Sequence, residues 1–194
     1  MNRHSRACGR LSAVADGFPP GRWTVATPCT EWDARALVEH VIGFHEFLLL
    51  RPLGVRASRP RDDPAARWRA TVDALFDALA TDGVIDQPTE LPGGGRSSAR
   101  QMLGALTTDV LVHTWDLARA GGLEPGLDRE LCAAAYETAT ATDLHRNDGM
   151  IGPEVAVESS ADIETRLAAR YGRSPAWRPP ARSPRADSRR GHPF

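Results

Sequence analysis

The sequence predicts an all-α protein built as a helical bundle. Turn and capping signals divide the 194 residues into five helical stretches, each with apolar residues at helical spacing. No strand pattern of comparable length appears in the sequence. The hydrophobic fraction of 41% is sufficient for one packed core in a chain of this length. These three observations favour a four-helix bundle with a short extra helix near the C-terminus.

The first two helices are delimited by glycine, proline and aspartate residues. The first is predicted from about Arg3 to Ala15 and ends at Asp16-Gly17, with two prolines beyond it. The second begins at an Asp33 cap and continues to about Leu50. Its stripe at helical spacing comprises Leu37, His40, Phe44 and Phe47. We expect this stripe to face the interior of the bundle.

The third and fourth helices have clear signals at both ends. Asp63 caps the third helix, Pro64 occupies its first turn, and Asp82-Gly83 ends it. The fourth begins at the serine pair 97–98 and ends at Gly121-Gly122. These two helices complete the predicted bundle core.

The remaining segments are shorter or more polar. Residues 84–96 form a connection that is expected to hold a short extended piece. A fifth helix is predicted over about Asp128 to Leu144, and a short one over about Ala161 to Tyr171. The bundle therefore occupies residues 1–175, and the arginine- and proline-rich tail at 176–194 is predicted to be disordered.

Composition and charge narrow the class of protein. The formal net charge is -1 and charged residues make up 25% of the chain, so neither nucleic acid nor a membrane surface is expected as a partner. The sequence contains no secretory signal and no apolar run of roughly 18 residues, which favours the cytoplasm. Small molecules are the expected partners. The oligomeric state stays open between a monomer and a homodimer.

The three cysteines predict neither a disulfide framework nor a zinc site built of thiolates. Cys8, Cys29 and Cys132 are an odd number, and no two of them are closely spaced. Cys29 lies in a Pro-Cys loop without an identifiable base, so a structural or incidental role is favoured over that of a nucleophile.

The fourth helix carries three polar side chains on one side. At roughly 100° per residue, Asp109 lies about 40° from His113, and Asp116 lies about 60° from it. Apolar residues share that sector: Leu106, Val110 and Leu117. The polar groups therefore point toward a packed interior. Burying a carboxylate and an imidazole there is costly unless something pairs with them, and a metal ion is one such partner.

His40 supplies a third metal-competent side chain, on the apolar stripe of the second helix. Together, His40, Asp109 and His113 have the hardness that suits zinc, iron or nickel. Three protein ligands with an open fourth position are typical of a catalytic zinc site. Asp116 is then placed to orient a ligand imidazole from behind.

Other interpretations of these residues stay open. Without a metal, His113 is a buried histidine whose ring is held by Asp109. Asp116 equally suits a salt bridge with Arg119 or Arg35. Among the other histidines, His45 is rotated by roughly 140° from His40 and is expected to face solvent or a bundle edge. The remaining three look unspecialised: His4, His145 and His192.

Three segments together carry a family resemblance. They are Trp23…Thr27-Pro-Cys-Thr-Glu-Trp-Asp-Ala-Arg-Ala-Leu-Val-Glu-His40, Asp109-Val-Leu-Val-His-Thr-Trp-Asp-Leu-Ala118 and Ala169-Arg-Tyr-Gly-Arg173. On these motifs the chain resembles the actinobacterial metal-binding branch of the DinB-like superfamily. That branch is related to the N-terminal domain of mycothiol-dependent maleylpyruvate isomerase. The similarity extends from about Leu11 to Pro175.

The resemblance implies a four-helix bundle that holds a metal, commonly zinc, between a histidine and an acid-x-x-x-His pair. By position these ligands are His40, Asp109 and His113. It also implies a low-molecular-weight thiol cosubstrate, mycothiol in actinobacteria. The isomerase has a glutamate at the position of Asp109 and a second, C-terminal domain, so maleylpyruvate isomerisation itself is not the expected reaction.

Three functional hypotheses follow. The first is a thiol-dependent zinc enzyme, a transferase or isomerase, in which the ion lowers the pKa of a bound thiol that then attacks a small electrophilic molecule. The second is a non-catalytic module that binds a metal or a small molecule. The third is a metal-free bundle that acts through partner contacts.

Overall fold

The computed structural model describes residues 2–91, 93–141 and 151–179. Within these ranges the α-helices are α1 (Asn2–Asp16), α2 (Ala34–His45), α3 (Pro64–Leu79), α4 (Ala99–Gly121), α5 (Arg129–Ala141) and α6 (Ile163–Arg170). A π-helical turn at Glu46–Leu50 extends α2, and a 3₁₀ turn lies at Val84–Asp86. A small antiparallel hairpin joins β1 (Pro88–Glu90) to β2 (Arg96–Ser98). The all-α prediction is confirmed.

Helices α1 to α4 form the bundle, with α4 at its centre. Helix α1 packs against α3 and α4, and α2 packs against the same two helices. Helices α5 and α6 pack against each other and against α4. The segment 110–118 of α4 is buried at every position, as expected for a helix with neighbours on all sides. Polar side chains of this segment are therefore held inside the protein.

The helix ends follow the predicted capping chemistry. The Asp33 and Asp63 side chains accept hydrogen bonds from the backbone N–H groups at the starts of α2 and α3. Ser98 and Gln101 form a reciprocal capping box at the start of α4. Gly122 ends α4 in a left-handed conformation with φ of 71°, which glycine adopts without a steric penalty. These caps fix the lengths of the helices that carry the candidate ligands.

The π-helical turn changes the register at the end of α2. The Arg51 N–H donates to the carbonyl of Glu46 at 2.9 Å, a bond that spans five residues instead of four. Within this wider turn, Leu49 and Leu50 are buried, whereas Phe47 is 42% exposed. The prediction that Phe47 belongs to the buried stripe was wrong, because the buried face of α2 follows Val38, Val41 and His45 and lies to one side of the predicted stripe.

The connections bear out the coarse predictions. The extended piece expected in 84–96 is the hairpin, whose second strand ends at Ser98. The C-terminal end predicted for the fifth helix lies partly outside the described residues, and so does the predicted disordered tail from residue 180 onward. In the part of the chain that the structure describes, every helix is too short or too polar to cross a bilayer.

Candidate metal centre

The three predicted ligands lie together between α2 and α4. His40 Nε2 is 3.6 Å from Asp109 Oδ1, and His113 Nε2 is 3.4 Å from the same oxygen. The two imidazole rings have centroids 5.0 Å apart and are nearly perpendicular. One ligand atom from each of the three residues lies within 4.8 Å of the others. We call these residues the Asp109 cluster.

The Asp109 cluster can be reached from solvent, and one of its carboxylate oxygens lacks a hydrogen-bond partner among the described residues. The His40 and Asp109 side chains are 18% and 22% exposed, whereas that of His113 is 7% exposed. Asp109 Oδ2 is buried and has no hydrogen-bond partner among the described residues. A buried carboxylate oxygen without a partner is unfavourable. A cation bound between the three side chains would satisfy it.

The charges of the cluster favour a cation. Burial raises the pKa of Asp109, but hydrogen bonds to His113 and His40 outweigh this effect and hold the pKa well below its usual range. Burial lowers the pKa of His113, but its contacts with Asp109 and Asp116 outweigh burial and raise the pKa to about 9. Two carboxylates thus face one imidazole, and the positive charge they favour can be a proton or a metal ion.

Asp116 lies behind His113 and is itself held by an arginine. Asp116 Oδ2 accepts a hydrogen bond from His113 Nδ1 at 3.1 Å. The Arg173 guanidinium donates to both Asp116 oxygens, with contacts at 3.2, 3.2 and 2.9 Å. Because Nδ1–H donates to Asp116, the lone pair of a neutral His113 lies on Nε2, which faces Asp109. Asp116 is completely buried, so this orientation is enforced.

Sequence reasoning missed Arg173 as the partner of Asp116. The candidates were Arg119 and Arg35, and neither forms that salt bridge within the described residues. Arg119 donates to the carbonyl of Pro175, and Arg35 lies near a loop carbonyl. Arg173 is 57 residues from Asp116, and such a pairing leaves no local spacing to recognise. The only available signal was that Arg173 closes one of the three family motifs.

Aromatic side chains fix the position of His40. Trp32, in the loop before α2, stacks on the His40 ring at a centroid distance of 4.1 Å. Trp32 also meets His113 edge-on at 5.7 Å, and Phe44 packs against His40 at 4.5 Å. The loop that carries Trp32 therefore covers part of the cluster.

Cys29 lies in the same loop and is half-buried. Burial raises the pKa of its thiol, so the thiol is protonated at neutral pH and is a poor nucleophile.

Two histidines outside the predicted site occupy unexpected positions. His45 was expected to face solvent or a bundle edge, but it is completely buried. That expectation was wrong because α2 packs against both α3 and α4, and Trp68 of α3 covers the His45 ring. His4 was considered unspecialised, yet it is 1% exposed and lies beside His45 and Cys8. The i, i+4 spacing of His4 and Cys8 on α1 was the available signal.

The comparisons with known proteins agree with this fold. The sequence matches the family described as mycothiol maleylpyruvate isomerase N-terminal domain over residues 4–118. It is 31% identical over 157 residues to two proteins described as uncharacterized, from two strains of Mycobacterium tuberculosis. Each alignment covers 78% of this chain and 79% of the relative. No solved structure matches the chain significantly. The chain therefore belongs to the family of the mycothiol maleylpyruvate isomerase N-terminal domain, which is DinB-like.

Proposed function

We propose that this protein is a zinc-dependent enzyme that uses a low-molecular-weight thiol, mycothiol, to transfer or isomerise a small electrophilic molecule. The observation that carries the proposal is the Asp109 cluster with its unpaired buried oxygen, Asp109 Oδ2. Family membership supports the choice of mycothiol. The proposed setting is the cytoplasm, with small molecules rather than nucleic acid as partners.

The donor set of the cluster suits zinc. Two imidazoles and one carboxylate are common zinc ligands, and three protein ligands leave a fourth position open for a thiol. Tetrahedral zinc with bonds of about 2.0–2.1 Å separates its nitrogen and oxygen ligands by about 3.3 Å. The contacts of 3.4 and 3.6 Å to Asp109 Oδ1 are close to that separation. Small side-chain shifts would therefore complete the site.

The surrounding residues orient the ligands. Asp116 keeps the Nδ1 proton of His113 in place, and Arg173 holds both oxygens of Asp116 by hydrogen bonds. Trp32 restricts the rotation of His40 by stacking on its ring. A preorganised set of this kind binds an ion without first having to rearrange.

The chemistry requires a thiolate at neutral pH. A zinc ion lowers the pKa of a thiol that binds to it, which releases the thiol proton to solvent. The partial exposure of His40 and Asp109 leaves the cluster accessible to such a thiol. The sulfur would then form a bond to an electrophilic carbon. Loss of a leaving group gives transfer, whereas addition and later elimination of the thiol give isomerisation.

Metal analysis and a thiol-transfer assay test the proposal. Purified wild-type protein should contain zinc, and His113→Ala should lose about one equivalent together with thiol-transfer activity toward generic electrophiles. The structural reason is that His113 is the most buried of the three ligands. A second variant, His40→Ala, removes a different ligand of the same cluster and should also lose about one equivalent of zinc. Activity that His113→Ala leaves unchanged would refute the catalytic role.

The second candidate function is a non-catalytic module that binds a metal or a small molecule. The Asp109 cluster supports this function as well, because binding an ion requires only its three ligands. Zinc bound at His40, Asp109 and His113 without any thiol-transfer activity would favour this module. Protein that neither contains nor rebinds metal would contradict the zinc enzyme and the metal-binding module alike, and would favour a metal-free polar core.

A further inference from the structure

A second group of metal-competent side chains lies inside the bundle, where α1 meets the end of α2. It comprises His4, Cys8 and His45, which are 1%, 0% and 0% exposed. His4 Nε2 is 3.1 Å from His45 Nε2, and Cys8 Sγ is 3.4 Å from His4 Nε2. The three ligand atoms lie within 4.8 Å of one another. We call these residues the Cys8 cluster.

Hydrogen bonds at the far side of each ring fix the tautomers of both histidines. His45 Nδ1 is 2.7 Å from the carbonyl oxygen of Val41, which only accepts, so Nδ1 carries the proton. The Thr107 hydroxyl donates to the carbonyl of Leu103 at 2.5 Å. Its oxygen therefore accepts from His4 Nδ1 at 3.0 Å. In both neutral rings the lone pair is thus on Nε2.

The two Nε2 atoms then form a contact that lacks a proton. The ring centroids are 5.2 Å apart with the ring planes inclined by 24°, and the two Nε2 atoms are 3.1 Å apart. The Cys8 thiol can donate its proton to His4 Nε2 at 3.4 Å, but the lone pair of His45 Nε2 is left beside another acceptor at 3.1 Å, which is repulsive unless a cation lies between them. Burial is the main cause that lowers the pKa of His4 to about 3, and burial also lowers the pKa of His45. A metal ion bound to both Nε2 atoms would remove this repulsion without requiring either ring to be protonated.

We propose that His4, Cys8 and His45 form a second, closed metal site that binds a thiophilic transition-metal ion, zinc or copper, and ties α1 to α2. Two imidazoles and one sulfur are the donors that such ions prefer over magnesium or calcium. The site is separate from the Asp109 cluster, which contains no sulfur, and it does not depend on the proposed function.

The dimensions of the cluster match a coordination shell. Zinc bonds of about 2.0–2.1 Å to nitrogen and about 2.3 Å to sulfur place tetrahedral ligands about 3.3 Å (N to N) and 3.6 Å (N to S) apart. The observed separations are 3.1 and 3.4 Å. Binding breaks the Cys8 S–H bond, forms a metal–sulfur bond and releases the proton to solvent. Without a metal, burial raises the pKa of Cys8 to about 12, so the thiol stays protonated.

Apolar and aromatic groups enclose the cluster. Trp68 of α3 meets His45 edge-on at 5.1 Å, and Phe76 of the same helix meets His4 at 6.2 Å. Trp68 is completely buried. No ligand of this cluster reaches solvent, so an ion would enter during folding and would stabilise the bundle rather than bind substrate.

The test uses sulfur supplied by the protein as its signature, which the Asp109 cluster cannot produce once small thiols have been removed by gel filtration. The full chain is produced in cobalt-supplemented medium, so that cobalt can enter during folding. Wild-type protein should show a thiolate-to-cobalt charge-transfer band in the near ultraviolet. His113→Ala should retain that band, whereas Cys8→Ser should lose it together with about one equivalent of metal. Elemental analysis of protein from unsupplemented medium then distinguishes zinc from copper.

Cys132→Ser is the matched control. Cys132 is also completely buried, and burial raises the pKa of its thiol to about 12 as well, but it belongs to neither cluster. This variant should keep the band. If Cys8→Ser does not fold, the Cys29→Ser/Cys132→Ser double variant leaves Cys8 as the only thiol, and X-ray absorption should show one sulfur at about 2.3 Å from the metal. Wild-type protein without any metal–sulfur signal would overturn the proposal.

Discussion

The Asp109 cluster and the Cys8 cluster share helix α2 but differ in their access to solvent. His40 joins α2 to α4, and five residues later His45 joins α2 to α1. The first cluster contains a carboxylate, and two of its three ligands, His40 and Asp109, are about one-fifth exposed. The second contains a thiol and has no exposed ligand. Each cluster presents two imidazoles and one further ligand, a carboxylate in the first and a thiol in the second.

This difference indicates separate roles for similar ligands. An accessible cluster can exchange ligands and admit a substrate, as catalytic sites require, whereas an enclosed cluster can only stabilise the fold. The local cause is the position of each residue around α2. His40 lies beneath the Trp32 loop, and His45 lies beneath the bulk of α3. One helix therefore supplies both environments.

Substitution of Arg173 should produce the largest effect and should weaken the Asp109 cluster alone. Arg173→Met leaves Asp116 buried without its cation, and breaking a buried ion pair costs about 3–5 kcal/mol. We expect the free energy of unfolding to fall by about 3 kcal/mol, near the lower limit, because His113 still faces Asp116. Metal affinity of the Asp109 cluster should fall roughly 10–100-fold, since His113 loses its support. Urea denaturation and metal titration measure the two effects.

Arg119→Met is the control for the arginine substitution. Arg119 lies on α4 near Asp116, but its guanidinium packs over Trp115 and donates to Pro175. Removing it should cost about 1 kcal/mol and should leave metal affinity unchanged. The thiolate-to-cobalt band should be the same in both variants. Equal destabilisation by the two substitutions would contradict the role assigned to Arg173.

The sequence was informative wherever a short spacing determines the geometry. Asp33, Asp63 and Ser98 are capping residues, and each helix that they begin starts where it was predicted to start. Asp109 and His113 are one helical turn apart, so their proximity follows from helix geometry alone. His40 could be added because it lies one turn from Leu37, at the edge of the buried face of α2. The fold and the principal cluster were predictable for these reasons.

Long-range packing could not be predicted in the same way. The contact between Arg173 and Asp116 depends on where the segment after α6 returns to α4. The burial of His45 depends on α3 packing against α2, where Trp68 meets the His45 ring. Neither arrangement produces a periodic pattern in the sequence, because each is determined by how whole helices pack against one another. The Cys8 cluster was missed for this reason, although His4 and Cys8 have helical spacing.

Metal release into a chelator should separate the two clusters by rate. An ion in the Asp109 cluster can be removed through its exposed side, whereas an ion in the Cys8 cluster can leave only when α1 separates from α2. We expect release in two phases that differ at least about a hundredfold, equivalent to about 2.7 kcal/mol in activation free energy. A colorimetric chelator follows the release over time.

Variants assign the two phases. His113→Ala should lack the fast phase, and Cys8→Ser should lack the slow one. Release of both ions in a single phase would show that the two clusters are equally accessible, and the contrast between them would then be incorrect.

The smallest expected effect concerns the aromatic cover of the Asp109 cluster. Trp32→Ala removes the ring that stacks on His40 at 4.1 Å, and such contacts contribute about 0.5–1.5 kcal/mol. Metal affinity of the Asp109 cluster should therefore fall about fivefold, while the thiolate-to-cobalt band stays unchanged. Trp23→Ala is the control, because Trp23 lies in the same loop but packs against Phe18. If both variants bind metal equally well, the loop only contributes to the core and does not position His40.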